Sequence, residues 1–299
     1  MDIFFDRLFS GLTAGSLYAM IALSLVVVFR SSSTINFAQG EFALFCCFIA
    51  WWLTTKGLPI GIALIPAVLV GFAMGAVTER ALIRPVRRRS ETAVLIVALG
   101  LFTALNGLDG WTWGPANKQF PELLPSGDND YLLVGGARLH YDAIGIFLIL
   151  MIVVGLLSLL FNKTSLGLKM RAVATNAESA SLSGVKVGTV LSMSWGISSA
   201  ISALAGVLIV PVLPPNELDL SSFFSILIFA SAAALFGGLD SVKGAVVGGL
   251  GLGVAESMLN GYATFLGGSL QLTVALVIIV LVLVARPTGL FGAKRVERV

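Results

Sequence analysis

Four polar side chains stand where an apolar chain has least use for them: Asn36, Gln39 and Glu41 at the start of one apolar run, and Glu256 inside another. A charged group within a bilayer-spanning helix costs about 2.5–3.5 kcal/mol on insertion scales, so Glu256 should face protein. Gly253 and Gly249, three and seven residues before it, share its helical face and put it on the packed side. There it lines a solute path or satisfies a helix–helix hydrogen bond. Asn36 and Gln39 have capping-box spacing, and Glu41 follows Gly40 in the first turn, where a negative charge suits the helix dipole. That pattern serves an ordinary cap at the membrane surface. It also serves a discontinuous helix whose exposed N-terminus lines a solute path, and spacing leaves both readings open.

A second polar stretch runs from Ser165 to Gly184. Ala177, Ala180, Ser181 and Gly184 recur at helical spacing, Thr175 and Glu178 stand as Thr-x-x-Glu, and Gly184 sits where a helix would stop. A short surface helix with little bulky apolar surface, flanked by long apolar runs, is either a docking element for a soluble partner or a connecting loop.

Other chemistry has little to work with. The single histidine, His140, falls in a loop, and Cys46 and Cys47 are adjacent on a helix, where neighbouring side chains point apart. No metal-ligand spacing and no paired-acid constellation occurs in the apolar runs, so catalytic and metal-binding residues are not expected. No Gly-x-x-x-x-Gly-Lys-Ser/Thr occurs either, so no nucleotide or other cofactor is expected on this chain.

The elements that must position these residues follow from composition. Of 299 residues 57% are hydrophobic and 12% charged, and a soluble domain needs more polar surface than that. Nearly charge-free runs at 8–29, 37–54, 58–78, 93–110, 142–161, 188–212, 222–237, 244–262 and 269–285 predict an all-α integral membrane protein. The runs at 37–54 and 222–237 are short, so the bundle holds about 8–9 transmembrane helices, with a broken helix among them. Asp2 and Asp6 occupy the place of a signal peptide's basic region, so the first run is expected to stay as a span. Placing Arg30, Arg80 to Arg89, Lys163 to Lys186, Lys243 and the basic tail inside leaves only Arg7, Lys56, Lys118 and Arg138 outside. The positive-inside rule then puts the N-terminus out and the C-terminus in. This asymmetry accounts for the net charge of +3, and nucleic acid is not needed as a partner.

Glycine pairs four apart, Gly11 with Gly15, Gly71 with Gly75 and Gly244 with Gly248, form stripes that let helices approach closely. The segment from Glu79 to Arg89 reads as a basic anchor on the inner side, for anionic lipid heads or a partner. The longest outer segment, 111–141, holds Pro115, Pro121 and Pro125, and can receive an external protein.

Four stretches in order carry a resemblance: Gly15-Ser-Leu-Tyr-Ala19, Ile35-Asn-Phe-Ala-Gln-Gly-Glu41, the segment from Arg171 to Gly184, and Phe236-Gly-Gly-Leu-Asp-Ser-Val-Lys-Gly244 continuing to Gly249. Together they resemble the Liv-type permeases of branched-chain amino acid ABC importers. In that family the position of Gln39 is often histidine, and a proline is frequent where Ala177 stands. The resemblance implies one transmembrane permease domain over 1–299, with an outer loop at 111–141 and a cytoplasmic coupling loop and helix within 162–187. It implies that Arg171, Asn176, Glu178 and Gly184 shape the contact with an ATPase. Asn36, Gln39, Gly40, Glu41, Gly237, Gly238 and Glu256 become candidates for the translocation path. Implied partners are a homologous second permease or a second copy, two ATPase subunits that use ATP, an extracytoplasmic solute-binding protein, and the lipid of a bacterial inner membrane. Branched-chain or related aliphatic amino acids are the implied cargo. Urea or short amides remain open, as does a self-sufficient channel or secondary carrier.

Overall fold

A computed structural model describes residues 2–87, 90–127, 130–134, 136–213, 217–262 and 289–292, with isolated positions at 273, 277, 281 and 284. Of the predicted run at 269–285 only those four positions are described, and the basic residues of the tail lie outside the described residues. Among the described residues six helices are long and apolar enough to cross a membrane: Ile3–Ser32, Ile60–Arg87, Thr92–Trp113, Tyr141–Lys163, Val187–Ile209 and Val242–Tyr262. Helices of 22 or 23 residues reach about 33–35 Å, against a hydrocarbon core of about 30 Å. The chain is a polytopic helical membrane protein.

In order the elements are α1 (Asp2–Ser32), α2 (Gln39–Thr55), α3 (Ile60–Thr78), a π-helical turn (Glu79–Ile83), α4 (Arg84–Arg87) and α5 (Glu91–Trp113). Strands β1 (Lys118–Gln119), β2 (Tyr131–Val134) and β3 (Ala137–His140) precede α6 (Tyr141–Lys163), α7 (Ser165–Thr175), α8 (Ala177–Leu182) and α9 (Val187–Ile209). Then come β4 (Glu217–Leu218), α10 (Ser222–Gly237) and α11 (Val242–Tyr262). Helices α2 and α10, of 17 and 16 residues, are the two short runs of the sequence. Short strands accompany the helices in the segment 111–141. There β2 and β3 form an antiparallel hairpin, Tyr131 opposite His140, and β1 pairs with β4 from the segment before α10. Outside the lipid, backbone can pair as strands without the internal satisfaction that a span demands.

The chain divides into two compact units. One comprises Met1–Val26, Leu124–Ile152 and Ile228–Val299. Its helices α1 and α11 meet at glycine: a β-carbon on Gly249 would lie 2.6 Å from the Ala19 Cα, and one on Gly253 would lie 2.3 Å from the Gly15 nitrogen. Such distances exclude any side chain, so the two backbones touch. Tyr18 stacks on Phe229 with ring centres 5.2 Å apart, and the hairpin is tied to α1 where the Arg138 N–H donates to Asp6.

The other unit comprises Val27–Leu123 and Val153–Leu227. Here α3 packs along α9, with Gly75 against the Trp195 carbonyl and Gly71 against the Ser199 carbonyl. Gly206 of α9 in turn lets α2 approach through Ala43 and Cys47. Buried Phe42, Val94, Leu105 and Trp195 fill the apolar interior between these helices. Arg30 closes one end by lying over the Phe161 ring at 4.1 Å.

Candidate functional site

The start of α2 is a buried polar relay. Asn36 Oδ1 accepts from the Ala38 N–H at 3.1 Å, while Asn36 Nδ2 donates to Gln39 Oε1 at 2.8 Å. Gln39 Nε2 then donates to Ser202 Oγ of α9 at 2.6 Å. The capping box that spacing predicts is therefore not formed. The N-cap position belongs to Ala38, without a side-chain cap, because Asn36 turns its oxygen to a nearer amide and Gln39 reaches across to another helix. Gly40 permits this packing, since a β-carbon there would lie 3.0 Å from the Phe223 carbonyl at the start of α10.

Glu41 lies one residue further on, 1% exposed. Asn106 Nδ2 of α5 sits 3.2 and 3.4 Å from its two oxygens and donates to the Leu220 carbonyl at 2.8 Å. Asp109, three residues after Asn106 and so on the same face of α5, is 0% exposed, and neither of its oxygens meets a hydrogen-bond donor among the described residues. Asp109 falls at the end of the apolar run 93–110 and is not among the candidates that the sequence singles out. The signal was Asn106-x-x-Asp109 within an otherwise apolar helix. A second missed feature is the serine series of α9, Ser194, Ser198, Ser199 and Ser202, all buried, with the Ser199 hydroxyl and the Trp195 indole N–H unpartnered among the described residues. One unit thus gathers Asn36, Gln39, Gly40 and Glu41 with Asn106, Asp109 and a serine-lined helix. Inside an apolar bundle such groups can hold a polar or charged solute that has left its water.

The remaining path candidates lie in the other unit and do not form one site. Glu256 is half-buried in α11 near the Tyr18 phenol, with its Oε2 lacking a partner among the described residues. It stands on the packed side, as the glycine spacing requires. Gly237 and Gly238 lie beyond the other end of α11, about 20 Å from Glu256 along the helix rise. They make a turn: Gly238 has φ +106, and a β-carbon on Gly237 would lie 2.0 Å from the Gly244 carbonyl oxygen.

The segment from Asn162 to Lys186 holds two helices rather than one. Thr164 caps α7 by accepting from the Gly167 N–H, and Gly167 packs on the Leu160 carbonyl to make the corner after α6. Arg171 reaches back, its Nη1 donating to the Phe161 carbonyl at 2.8 Å. Asn176 ends α7 and caps α8, its Oδ1 accepting from the Ser179 N–H at 2.8 Å. The Thr-x-x-Glu reading is corrected by one residue: Thr175 belongs to α7 and bonds back to the Arg171 carbonyl. Glu178 lies exposed in the first turn of α8, and Gly184, at φ +83, ends the segment as spacing predicts. Only Ala180 of α8 is buried, and Leu182 is 86% exposed.

Apolar helices that carry buried polar groups, with an exposed helical loop between them, define a polytopic helical membrane protein. The family model described as the branched-chain amino acid transport system permease component matches residues 7–285, and the chain belongs to that family. The High-affinity branched-chain amino acid transport system permease protein LivH of Salmonella typhimurium is 29% identical, over 99% of this chain and 98% of that one. The permease protein BraD of Pseudomonas aeruginosa is 31% identical over the same shares. The Fructose import permease protein FruF of Bifidobacterium longum is 25% identical over 89% of this chain and 73% of its own length. These relatives are named as permease components, and the transport role rests on them.

Proposed function

We propose that the chain is the membrane permease subunit of an ABC importer for branched-chain or related aliphatic amino acids. It would sit in a bacterial inner membrane with its N-terminus out and the α7–α8 loop inside. The observation that carries the ATP-driven part is α8: a six-residue helix, capped by Asn176, followed by Gly184, exposed at Glu178 and Leu182 and joined to the long helix α9 by the short turn 183–186. A partner that pushed on α8 would push on α9.

In this reading ATP is bound and hydrolysed by two partner subunits, and a second permease, homologous or identical, completes the path. A solute-binding protein delivers cargo on the other side, near the β2–β3 hairpin. Alternating access then exposes the polar groups at the start of α2 first to one side and then to the other. The carboxylates Glu41 and Asp109 suit an ammonium group, and the apolar walls suit an aliphatic side chain. The names of LivH and BraD favour branched-chain cargo over the sugar in the name of FruF, by their greater coverage and identity.

Mass spectrometry of the tagged protein, purified from its own membranes in mild detergent, tests the reading. ATPase subunits and a second permease are expected in stoichiometric amounts. A homo-oligomer that moves solute in liposomes without ATP would sink it and favour a channel or carrier. Replacing Arg171 and Glu178 together by alanine is expected to abolish uptake while the protein still inserts. Uptake assays with leucine, urea and a short amide then separate the cargo classes.

A further inference from the structure

At the end of α3 the helix widens. Glu79–Ile83 is a π turn, and the Arg84 N–H donates to the Glu79 carbonyl five residues back. Pro85 supplies a local cause: it has no N–H, and in an α-helix its ring would press on the carbonyl of Ala81, four residues before it. A π turn absorbs such a misfit.

The widened turn changes which side chains meet. On an α-helix neighbours are three or four apart, whereas i→i+5 bonding brings residues five apart onto one face. Glu79 and Arg84 therefore pair, Nη2 to Oε2 at 2.7 Å and Nε to Oε1 at 3.3 Å, with Glu79 1% exposed. The pair also grips α9. Ser192 Oγ donates to Glu79 Oε2 at 2.6 Å, and Arg84 Nη2 donates to the Gly188 carbonyl at 2.7 Å and lies 2.8 Å from Ser192 Oγ. A β-carbon on Gly188 would lie 2.7 Å from the guanidinium carbon, so glycine there lets Arg84 reach the backbone. Gly188 is four residues beyond Gly184, where the α8 segment ends.

We propose that Glu79 and Arg84 are positioning residues that carry movement of the α7–α8 loop into the bundle. This rests on the reading of α8 as the ATPase contact. Arg84 holds a backbone carbonyl in the first turn of α9, and Glu79 holds Arg84 from the end of α3. The glycine contacts at Gly71 and Gly75 already pack these two helices together, so the clasp makes their inner ends move as one body. A displaced α9 pulls on the π turn, the place where α3 can change register by one residue.

The test uses the complete transporter, purified with its partner subunits and reconstituted in liposomes, with uptake and ATP hydrolysis measured side by side. E79Q keeps the side-chain shape and removes the charge. It is expected to lower uptake per ATP hydrolysed about tenfold, with basal hydrolysis within about twofold of wild type and all subunits co-purifying. S192A removes one hydroxyl, leaves the ion pair, and is expected to lower the ratio about two- to threefold; it also decides the matter if E79Q does not accumulate. An unchanged ratio overturns the proposal. So do uptake and hydrolysis that fall in step together with the melting temperature, which would make the clasp a structural bridge only. Absence of ATP-dependent uptake in the wild type overturns both this inference and the transporter reading, and is seen before any variant is made.

Discussion

The glycine seam between α1 and α11 and the polar tie that supplements the glycine contact between α2 and α9 hold helices together by different means. In the first, Gly15, Gly249 and Gly253 bring backbones into contact, and the Ser257 hydroxyl adds one bond to the Arg7 carbonyl. In the second, Gln39 reaches over to Ser202, and Asn36 stands behind it. Backbone contact has one good arrangement, because a displaced glycine seam loses its packing without finding a substitute. A side-chain hydrogen bond can exchange partners. The buried amides, hydroxyls and carboxylates of the second unit therefore suit a region that must meet a polar solute, and the glycine seam suits a region that must stay fixed.

Breaking the seam is expected to have the largest effect. Gly253→Leu puts a side chain where backbone already stands, and overpacking costs about 1–3 kcal/mol even where side chains can yield. Loss of most monodisperse protein in detergent is the expected readout. Gln39→Leu should behave differently. It removes the bond to Ser202 and the acceptor of the Asn36 amide, at about 1–3 kcal/mol. The protein is expected to remain folded by melting and chromatography while uptake falls severalfold. If Gln39→Leu lost the fold as completely as Gly253→Leu, the contrast between the two regions would collapse.

The exposed loop sharpens the comparison at lower energy. Gly184 has open space around it but φ +83, so Gly184→Ala pays only backbone strain, about 1–2 kcal/mol. Faster hydrogen exchange confined to the amides of α8 would show it. Asn176→Ala removes the cap of α8, at about 1 kcal/mol, with a smaller increase in the same exchange; Asn176→Asp should restore protection.

Much of this was legible beforehand where one periodicity decides it. Gly11, Gly15, Gly71 and Gly75 announced close helix contacts because small residues four apart can mean little else in a span. Gly184 announced the end of α8, since its conformation favours glycine. Cap assignments fared worse. Asn36 and Thr175 both had the right type and spacing, and both bond elsewhere: Asn36 had a nearer amide in Ala38, and Thr175 fell inside α7. Asp109 went unmarked as a site residue because a carboxylate near a span boundary normally reaches water, and only the packing of α5 shows that this one does not. The segment from Glu79 to Arg89 read as a basic anchor, since a pair five apart has no meaning on an α-helix.

Sequence alone determined that this chain crosses a membrane repeatedly, which helices approach at glycine, and the family to which it belongs. Those properties follow from apolar run length, residue size and ordered motifs, all local or additive along the chain. Tertiary structure decided which polar residues share a unit. It placed Gln39 on Ser202 and Asn106 on Glu41, left Glu256 in the other unit, and turned Glu79 toward Arg84 and α9. Such pairings depend on the rotation and widening of helices about their own axes, which a pattern in sequence constrains only to a face.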